Sequence, residues 1–108
     1  MAFLYEVNLE IDAHRAAEFE EWLGAHIEEM LSFPGFLSAE WYHRFPEDEG
    51  NIGDVTLWTI HYALDSEASF LRYVENNAPR MRAEGIALFG NNFRASRRLL
   101  HSKRSFLT

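Results

Sequence analysis

The spacing of apolar residues along this chain changes in an order that limits the folds open to it. From Phe3 to Ile11 every odd position is apolar, which is the period of a strand buried on one face. The next segment repeats its apolar residues at intervals of three and four, from Phe19 to Leu31, as an amphipathic helix does. Over the whole chain these periods predict the order strand, helix, strand, strand, helix, strand.

Three further strands are predicted from alternation and from β-branched and aromatic residues. They are Phe36–Phe45, Val55–Tyr62 and Phe93–Leu100. A polar, turn-rich segment from Pro46 to Gly53 separates the second strand from the third. Glycine, proline and acidic residues favour turns, so we expect an exposed hairpin loop there.

Capping residues mark where the two helices begin and end. Asp12 is a candidate N-cap for the first helix, and Asp65 and Ser66 are candidates for the second. Pro79 lies within the second helical segment. Because proline is well tolerated in a first helical turn, we expect the helix to restart there and to stop at Gly90.

This order of elements predicts an α+β fold. Two βαβ halves with helices on one face of an antiparallel sheet make the ferredoxin-like βαββαβ arrangement, with strand order 4-1-3-2. A chain of 108 residues is long enough for one such domain. We expect the domain to occupy residues 1–100 and residues 101–108 to form a short basic tail.

The sheet face without helices poses a physical problem. Depending on how the third strand is turned, that face receives either Trp58, Ile60 and Tyr62 or Val55 and Leu57. A soluble monomer seldom leaves so large an apolar patch in water. Burial against the same face of a second copy, by a two-fold axis, would solve the problem, so the predicted partner is the chain itself.

Charge is distributed unevenly. Residues 1–75 hold 16 acidic and 3 basic residues, whereas residues 76–108 hold 1 and 7. A basic segment can mark a nucleic-acid site, but the acidic remainder would repel a phosphate backbone. We therefore favour complementarity within the fold and expect no nucleic-acid partner.

The predicted strand order supplies that complementarity. It places the fourth strand beside the first, with Arg94 and Arg98 on the same sheet face as Glu6 and Glu10. Opposite charges on neighbouring strands stabilise a sheet by roughly 0.2–1 kcal/mol per pair. Arg97 falls on the other face, where the sequence predicts no partner unless a bulge turns it or it reaches an acidic helix residue.

Four segments of the chain resemble a known family. They are YEVNLEID, HIEEML, PGFLSAEWY and APRMRAEGIALFGNNFRASRRLL. The chain resembles, from about Leu4 to Leu100, a small bacterial family of unknown function within the dimeric α+β barrel superfamily. That superfamily includes antibiotic-biosynthesis-type monooxygenases, muconolactone isomerases, haem-degrading monooxygenases and dye-decolourising peroxidases. The resemblance implies two subunits whose sheets enclose a cavity, but no reaction, because this fold hosts many chemistries.

The candidate site residues lie on strands and are predicted to share the open face. They are Glu6, Asn8, Glu40, Tyr42, His61, Arg94 and Arg98. The alternative is a set of interface salt bridges between the glutamates and arginines. A slip of one residue in the second strand would replace Glu40 and Tyr42 with Trp41 and His43.

Roles for these residues follow from their chemistry. Asn8, His61 and Tyr42 are the candidate catalytic residues: Asn8 and Arg94 would stabilise an enolate, and His61 or Tyr42 would move the proton. The candidate ligand-binding residues are Glu6, Glu40, Arg94 and Arg98. The first hypothesis is a homodimer that binds a small anionic or aromatic metabolite. The alternatives are a cofactor-independent monooxygenase or isomerase, and a structural or regulatory dimer with a packed barrel.

Several classes of protein are disfavoured. The chain has no cysteine, and its five histidines are scattered, so we expect no disulfide, no metal site and no cofactor. His26 is expected to pack in the core with a hydrogen bond to the backbone; a proton shuttle or a haem ligand is the functional alternative. No apolar run approaches the roughly 20 residues of a membrane span, so we expect no membrane partner and a cytoplasmic location.

Overall fold

A computed structural model describes residues 3–50 and 53–108. Its helices and strands are β1 (Phe3–Asp12), α1 (Ala16–Met30), β2 (Phe36–Arg44), β3 (Val55–Leu64), α2 (Glu67–Asn76), α3 (Ala78–Phe89) and β4 (Phe93–His101). Short 3-10 turns precede α1, follow β2 and precede β4. Every strand begins at the residue that the alternation predicts, and the βαββαβ order is confirmed with the second helix divided into α2 and α3.

The four strands form one antiparallel sheet in the order β2-β3-β1-β4. This is the predicted order 4-1-3-2 counted from the opposite edge, so the ferredoxin-like α+β fold is confirmed. The central strands β1 and β3 each have two neighbours, and β2 and β4 are the edges. Residues of β1 therefore meet side chains from both β3 and β4.

The face of the sheet that packs on the helices carries the large apolar side chains. Trp58, Ile60 and Tyr62 of β3 are all buried there, in one cluster with Tyr5 of β1 and Phe19 of α1. Aromatic rings of this size fill the layer between sheet and helices. Their burial settles how the third strand is turned, because the alternate residues of β3 must then face away from the helices.

The opposite side of the sheet, which we call the open face, receives Leu57, Thr59 and His61 from β3. The second strand is turned in the same sense. Trp41 packs edge-on against Trp58 on the helix side, with ring centroids 5.0 Å apart. The slip of one residue that would bring Trp41 to the open face does not occur.

The predicted caps differ in outcome. The Ser66 hydroxyl accepts a hydrogen bond from the Ser69 N–H at 3.2 Å and caps α2, as predicted. The prediction that Asp12 caps the first helix is wrong. Asp12 is the last residue of β1, and its carboxylate instead accepts hydrogen bonds from Arg94 and Asn92. A stronger, charged partner on the neighbouring strand takes the carboxylate that a helix N-terminus would otherwise use.

The second helical segment is interrupted as predicted. Asn77 alone separates α2 from α3, and Pro79 lies in the first turn of α3. Phe89 ends α3, and Gly90 follows with a positive φ of 53°. After the restart, α3 buries one side, formed by Ala78, Met81, Gly85 and Phe89.

A close contact sets the turn between α1 and β2. Gly35 has a φ of 88°, and a Cβ placed on it would lie 2.2 Å from Oγ of Ser69. Its carbonyl oxygen also accepts a hydrogen bond from the Asp65 N–H at 2.9 Å. Glycine is therefore required here both by the left-handed backbone and by the space available.

The predicted loop after β2 begins with a 3-10 turn, Pro46–Glu49, and a left-handed Gly50. Positions 51 and 52 of that predicted loop lie outside the described residues. In the part of the chain that the structure describes, every helix is too short or too polar to cross a membrane.

Candidate functional site

The open face carries a groove of about 860 Å³ that runs across all four strands. Six of the seven predicted site residues line it, namely Glu6, Asn8, Tyr42, His61, Arg94 and Arg98. Glu40 is exposed on β2 beside the groove and is not part of its lining. Residues that are up to 92 positions apart in the chain therefore lie together on one sheet face, as the alternation along the strands predicted.

Glu6 lies at the centre of the groove floor. Its Oε2 accepts hydrogen bonds from Nδ2 of Asn8 at 2.9 Å and from Nε of Arg98 at 2.5 Å. Its Oε1 lies 2.8 Å from Nε2 of His61. Glu6 is only 5% exposed although it stands on the face without helices.

Strand register produces this arrangement. Glu6 is paired directly with His61 on β3 and with Arg98 on β4. Two positions further along β1, Asn8 is paired with Thr59, whose hydroxyl donates to Oδ1 of Asn8 at 2.7 Å. We refer to Glu6, Asn8, Thr59, His61 and Arg98 as the Glu6 network.

The Glu6 network keeps its carboxylate ionised. Burial alone would raise the pKa of Glu6, but hydrogen bonds from Arg98, Asn8 and His61 together outweigh it and lower the pKa to about 2. An ionised carboxylate accepts hydrogen bonds and cannot donate them. The proton between Glu6 and His61 therefore resides on Nε2 of the imidazole.

A carboxylate that fixes one nitrogen of an imidazole is an arrangement that orients a general base. The edge of the Tyr42 ring meets the His61 ring, with centroids 5.2 Å apart. Tyr42 is 45% exposed, so it forms an aromatic wall of the groove that water reaches. His61 and Tyr42 are thus adjacent, as a proton-transfer site would require.

Arg94 has a different surrounding from Arg98. Its Nε donates to Glu10 at 2.7 Å and its Nη2 donates to Asp12 at 2.9 Å. Its Nη1 also donates to the Asn91 carbonyl oxygen at 3.2 Å. Hydrogen bonds from Arg94 and Asn92 lower the pKa of the Asp12 carboxyl. Arg94 therefore ties two carboxylates at the end of the sheet and has little capacity left for a ligand.

The positive charges of the groove are all neutralised in this way. Arg98 is bound to Glu6, Arg94 to Glu10 and Asp12, and Arg44 to Glu49 at 3.0 Å. The predicted complementarity between β1 and β4 is confirmed. An anionic ligand would have to compete with a carboxylate for each arginine, so the groove suits a neutral or aromatic ligand better than an anion.

Some residues of the groove escaped sequence reasoning. Thr59 completes the hydrogen bonding of Asn8, and Arg44 also lines the groove. The pairing register of β1 and β3 could have identified Thr59, because Thr59 stands opposite Asn8 once the two strands are aligned. Among residues 3–50 and 53–108, no three histidine or carboxylate side chains gather in a way that could hold a metal ion.

A family profile described as Domain of unknown function (DUF4286) matches residues 2–103. No curated protein gives a significant match.

Solved structures share the fold. One is SnoaB, a cofactor-independent oxygenase from Streptomyces nogalater, with a TM-score of 0.69, 14% identity and 95% of each chain covered. Another is a monooxygenase from the gene ActVA-Orf6 of Streptomyces coelicolor in complex with Nanaomycin D. Its TM-score is 0.61 and its identity 19%, over 99% of this chain and 92% of that one.

A designed protein shows how far such likeness reaches. The de novo designed protein Foldit4 has a TM-score of 0.64 and 14% identity, over 95% of this chain and all of its own. A chain that was designed for its fold is thus about as similar as the oxygenases are. The comparisons therefore establish the ferredoxin-like α+β fold, and any activity must be argued from the site.

Proposed function

We propose a function from the residues of the groove, because the chain belongs to a family of unknown function, DUF4286, whose profile spans residues 2–103. The proposed function is that of a homodimer that binds a small aromatic metabolite between two facing sheets. The observation that carries the proposal is the Glu6 network. It places a buried, ionised carboxylate and an oriented imidazole at the bottom of a groove that is otherwise open. Groups with a strongly perturbed pKa, as Glu6 has here, cluster at functional sites.

Pairing of two open faces would cover the groove. Tyr42 on this face is 45% exposed and would be removed from water by a second copy, whereas the arginines already have carboxylate partners in their own subunit. A self-complementary face of this kind suits a two-fold interface. Ligand pockets typically occupy about 300–1,000 Å³, so the groove of about 860 Å³ leaves room for a ligand if the partner fills part of it.

The lining favours an aromatic ligand. The exposed Tyr42 ring and the His61 ring meet edge to face and offer flat surfaces to another ring. A hydroxyl or carbonyl of that ligand could exchange hydrogen bonds with His61 or with the terminal nitrogens of Arg98. Arg98 is 67% exposed and reaches from the Glu6 network toward the space that the partner would enclose.

A second candidate function is cofactor-independent oxygenation or isomerisation, which the Glu6–His61 pair favours. In the oxygenase case, an activated phenol and O₂ would give a quinone and water, with His61 accepting the phenolic proton. Asn8 is less suited to hold an enolate, since both ends of its amide are already bonded to Glu6 and Thr59. We therefore assign Asn8 to positioning Glu6.

The third possibility is a structural or regulatory dimer whose barrel is packed solid. In that case the Arg98 and Tyr42 side chains of both copies would fill the space between the sheets. A cavity in the dimer separates this possibility from the other two.

Two measurements on one preparation test the proposal. Light scattering coupled to gel filtration should give about twice the mass of the 12.6 kDa chain at micromolar concentration. Mass spectrometry of the native protein and of its denatured extract should show a small bound aromatic compound. The amount of this compound per chain should be lower in Tyr42→Ala. The mass of one chain would refute the dimer, and a dimer that binds no aromatic compound would leave the packed barrel as the better account.

A further inference from the structure

A second cavity lies on the helix side of the sheet, on the opposite face from the groove. It has a volume of about 50 Å³ and is enclosed by β1, β3, β4 and the helices above them. The polar groups that line it come from Tyr5, Tyr62, Tyr73, His26, Arg82 and Arg97. No carboxylate is among the described residues that line this helix-side cavity.

Arg97 is the residue of β4 that the sequence could not explain. Its neighbours Ser96 and Arg98 line the groove, so the alternation of the strand turns Arg97 to the helices, where it lines the cavity. Within residues 3–50 and 53–108, the Arg97 side chain makes no hydrogen bond and no ion pair. The sequence offered two explanations for Arg97, a bulge in the strand or an acidic partner on a helix. Neither is found among the described residues.

Arg82 of α3 is the second cation of the cavity. Its Nη2 donates to the hydroxyl of Tyr5 at 3.3 Å, and the described residues supply it with no carboxylate. The contrast with the groove is clear, since Arg94 and Arg98 are each bound to at least one carboxylate. Among the described residues, the two arginines that line the cavity are therefore exposed cations without a carboxylate partner, whereas the arginines of the groove are paired with carboxylates.

His26 adds a polar atom that lacks a partner. Its Nδ1 is buried and has no hydrogen bond, so the expected bond to the backbone does not occur at this nitrogen. The ring lies against Trp22, with centroids 4.6 Å apart. Leaving a buried polar atom unsatisfied is unfavourable, which favours a ligand or solvent atom at this position.

Other charges near His26 do not cancel this pattern. Burial lowers the pKa of His26, Glu84 and Glu29 oppose that effect, and Arg97 and Arg80 add to it. Glu84 and Glu29 are both bound to Arg80, each at 2.9 Å, and neither lines the cavity. Their charge is thus shared with an arginine outside the cavity.

From these observations we propose that the helix-side cavity is a binding site for a small carboxylate, held by Arg97, Arg82 and Nδ1 of His26. Arginine binds carboxylates through paired N–H donors. Arg82 and Arg97 are themselves exposed, while aromatic side chains line the interior of the cavity. A buried water needs roughly 10–15 Å³, so about 50 Å³ accepts a group of roughly three to five non-hydrogen atoms. Acetate has this size. The site is complete in one subunit and does not depend on the proposed dimer or its groove.

Titration with sodium acetate tests the site, with acetamide as an uncharged ligand of the same shape. Nuclear magnetic resonance of the His26 ring and of the arginine side chains follows binding at constant ionic strength. Acetate should shift the His26, Arg82 and Arg97 signals in a saturable way, and acetamide should not. An equal response to both compounds, or no saturable shift with acetate, would overturn the proposal.

Two neighbouring residues of β4 provide matched variants. Arg97→Gln should weaken acetate binding at least tenfold, whereas Arg98→Gln, which changes the opposite face, should leave it unchanged. Gly85→Ala gives a second variant, because its Cβ would lie 3.1 Å from the Trp22 ring and narrow the cavity. It should also weaken binding. Unchanged affinity in both Arg97→Gln and Gly85→Ala, or an equal loss in Arg98→Gln, would exclude this site.

Discussion

Arg97 and Arg98 are consecutive residues of β4 that serve opposite faces of the sheet. Arg98 is bound to the buried Glu6 on the open face, while Arg97 lines a cavity under the helices that contains no carboxylate. Two arginines that look equivalent in the sequence therefore have different chemistry. One completes a network, and the other is available to a ligand.

The first prediction concerns acid stability. The pKa of Glu6 falls from 4.5 to about 2 on folding, so this carboxylate stabilises the fold above pH 4.5, and the contribution is lost as the pH falls toward 2. A pKa shift of this size corresponds to a contribution of about 3 kcal/mol to the free energy of unfolding. Urea unfolding of the wild type should therefore show a marked loss of stability between about pH 5 and pH 2.

Glu6→Gln removes this titration, so its unfolding free energy should vary less with pH over that range. Glu20→Gln, which changes an exposed carboxylate of α1, is the control and should retain the wild-type slope. If Glu6→Gln keeps the full acid dependence of the wild type, the Glu6 network does not stabilise the protein as described.

The second prediction compares two glycines. Gly35→Ala places a Cβ 2.2 Å from Ser69 Oγ at a backbone φ of 88°, and should destabilise the fold by about 2–4 kcal/mol. Gly24→Ala in α1 meets nothing within 4 Å and should stabilise it by about 0.5–1 kcal/mol. Thermal or urea unfolding measures both changes. A Gly35→Ala variant as stable as the wild type would contradict the close approach of the two segments.

The third prediction concerns catalysis. If the groove oxidises an activated phenol, oxygen uptake should fall by about 10²–10⁴-fold in His61→Gln, because general-base catalysis contributes about that much. His101→Gln is the matched control and should leave the rate unchanged, since His101 lies at the end of β4 and does not line the groove. Arg94→Ala should have a small effect, because Arg94 binds Glu10 and Asp12. Turnover that persists in His61→Gln would exclude the proposed proton acceptor.

The fourth prediction tests where the domain ends. Phe106 and Leu107 are 77% and 97% exposed, so a chain that ends at His101 should unfold at the same temperature as the full chain. A chain that ends at Leu100 should be less stable, because His101 pairs with Phe3 and its ring lies 4.9 Å from the Phe3 ring. A clear drop in the unfolding temperature of the chain that ends at His101 would show that the basic tail is part of the domain.

Periodicity predicted the fold and most of the groove because both follow local rules. Alternation along each strand decides which side chains share a face, and strand order decides that Glu6 meets Arg98. The side on which the third strand presents Trp58 required knowledge of what the helices cover. Asp12 was misassigned because its partner, Arg94, is 82 positions away.

The helix-side cavity could not be predicted for a similar reason. Arg82 of α3, which begins after Asn77, and His26 of α1 both line it. Three elements contribute its charged groups, and no local pattern relates them. The sequence showed only that Arg97 lacked an explanation.

The most direct test of the proposed dimer uses the absence of cysteine from the chain. Ser96→Cys introduces a single thiol in the groove, and Ala25→Cys introduces one on the exposed side of α1. Both positions are accessible in one subunit, so their reaction rates with a bulky maleimide report what covers each face. We predict that the thiol at position 96 reacts at least tenfold more slowly than the thiol at position 25, and that dilution to the monomer removes the difference. Equal rates at micromolar concentration would contradict a dimer formed through the open face.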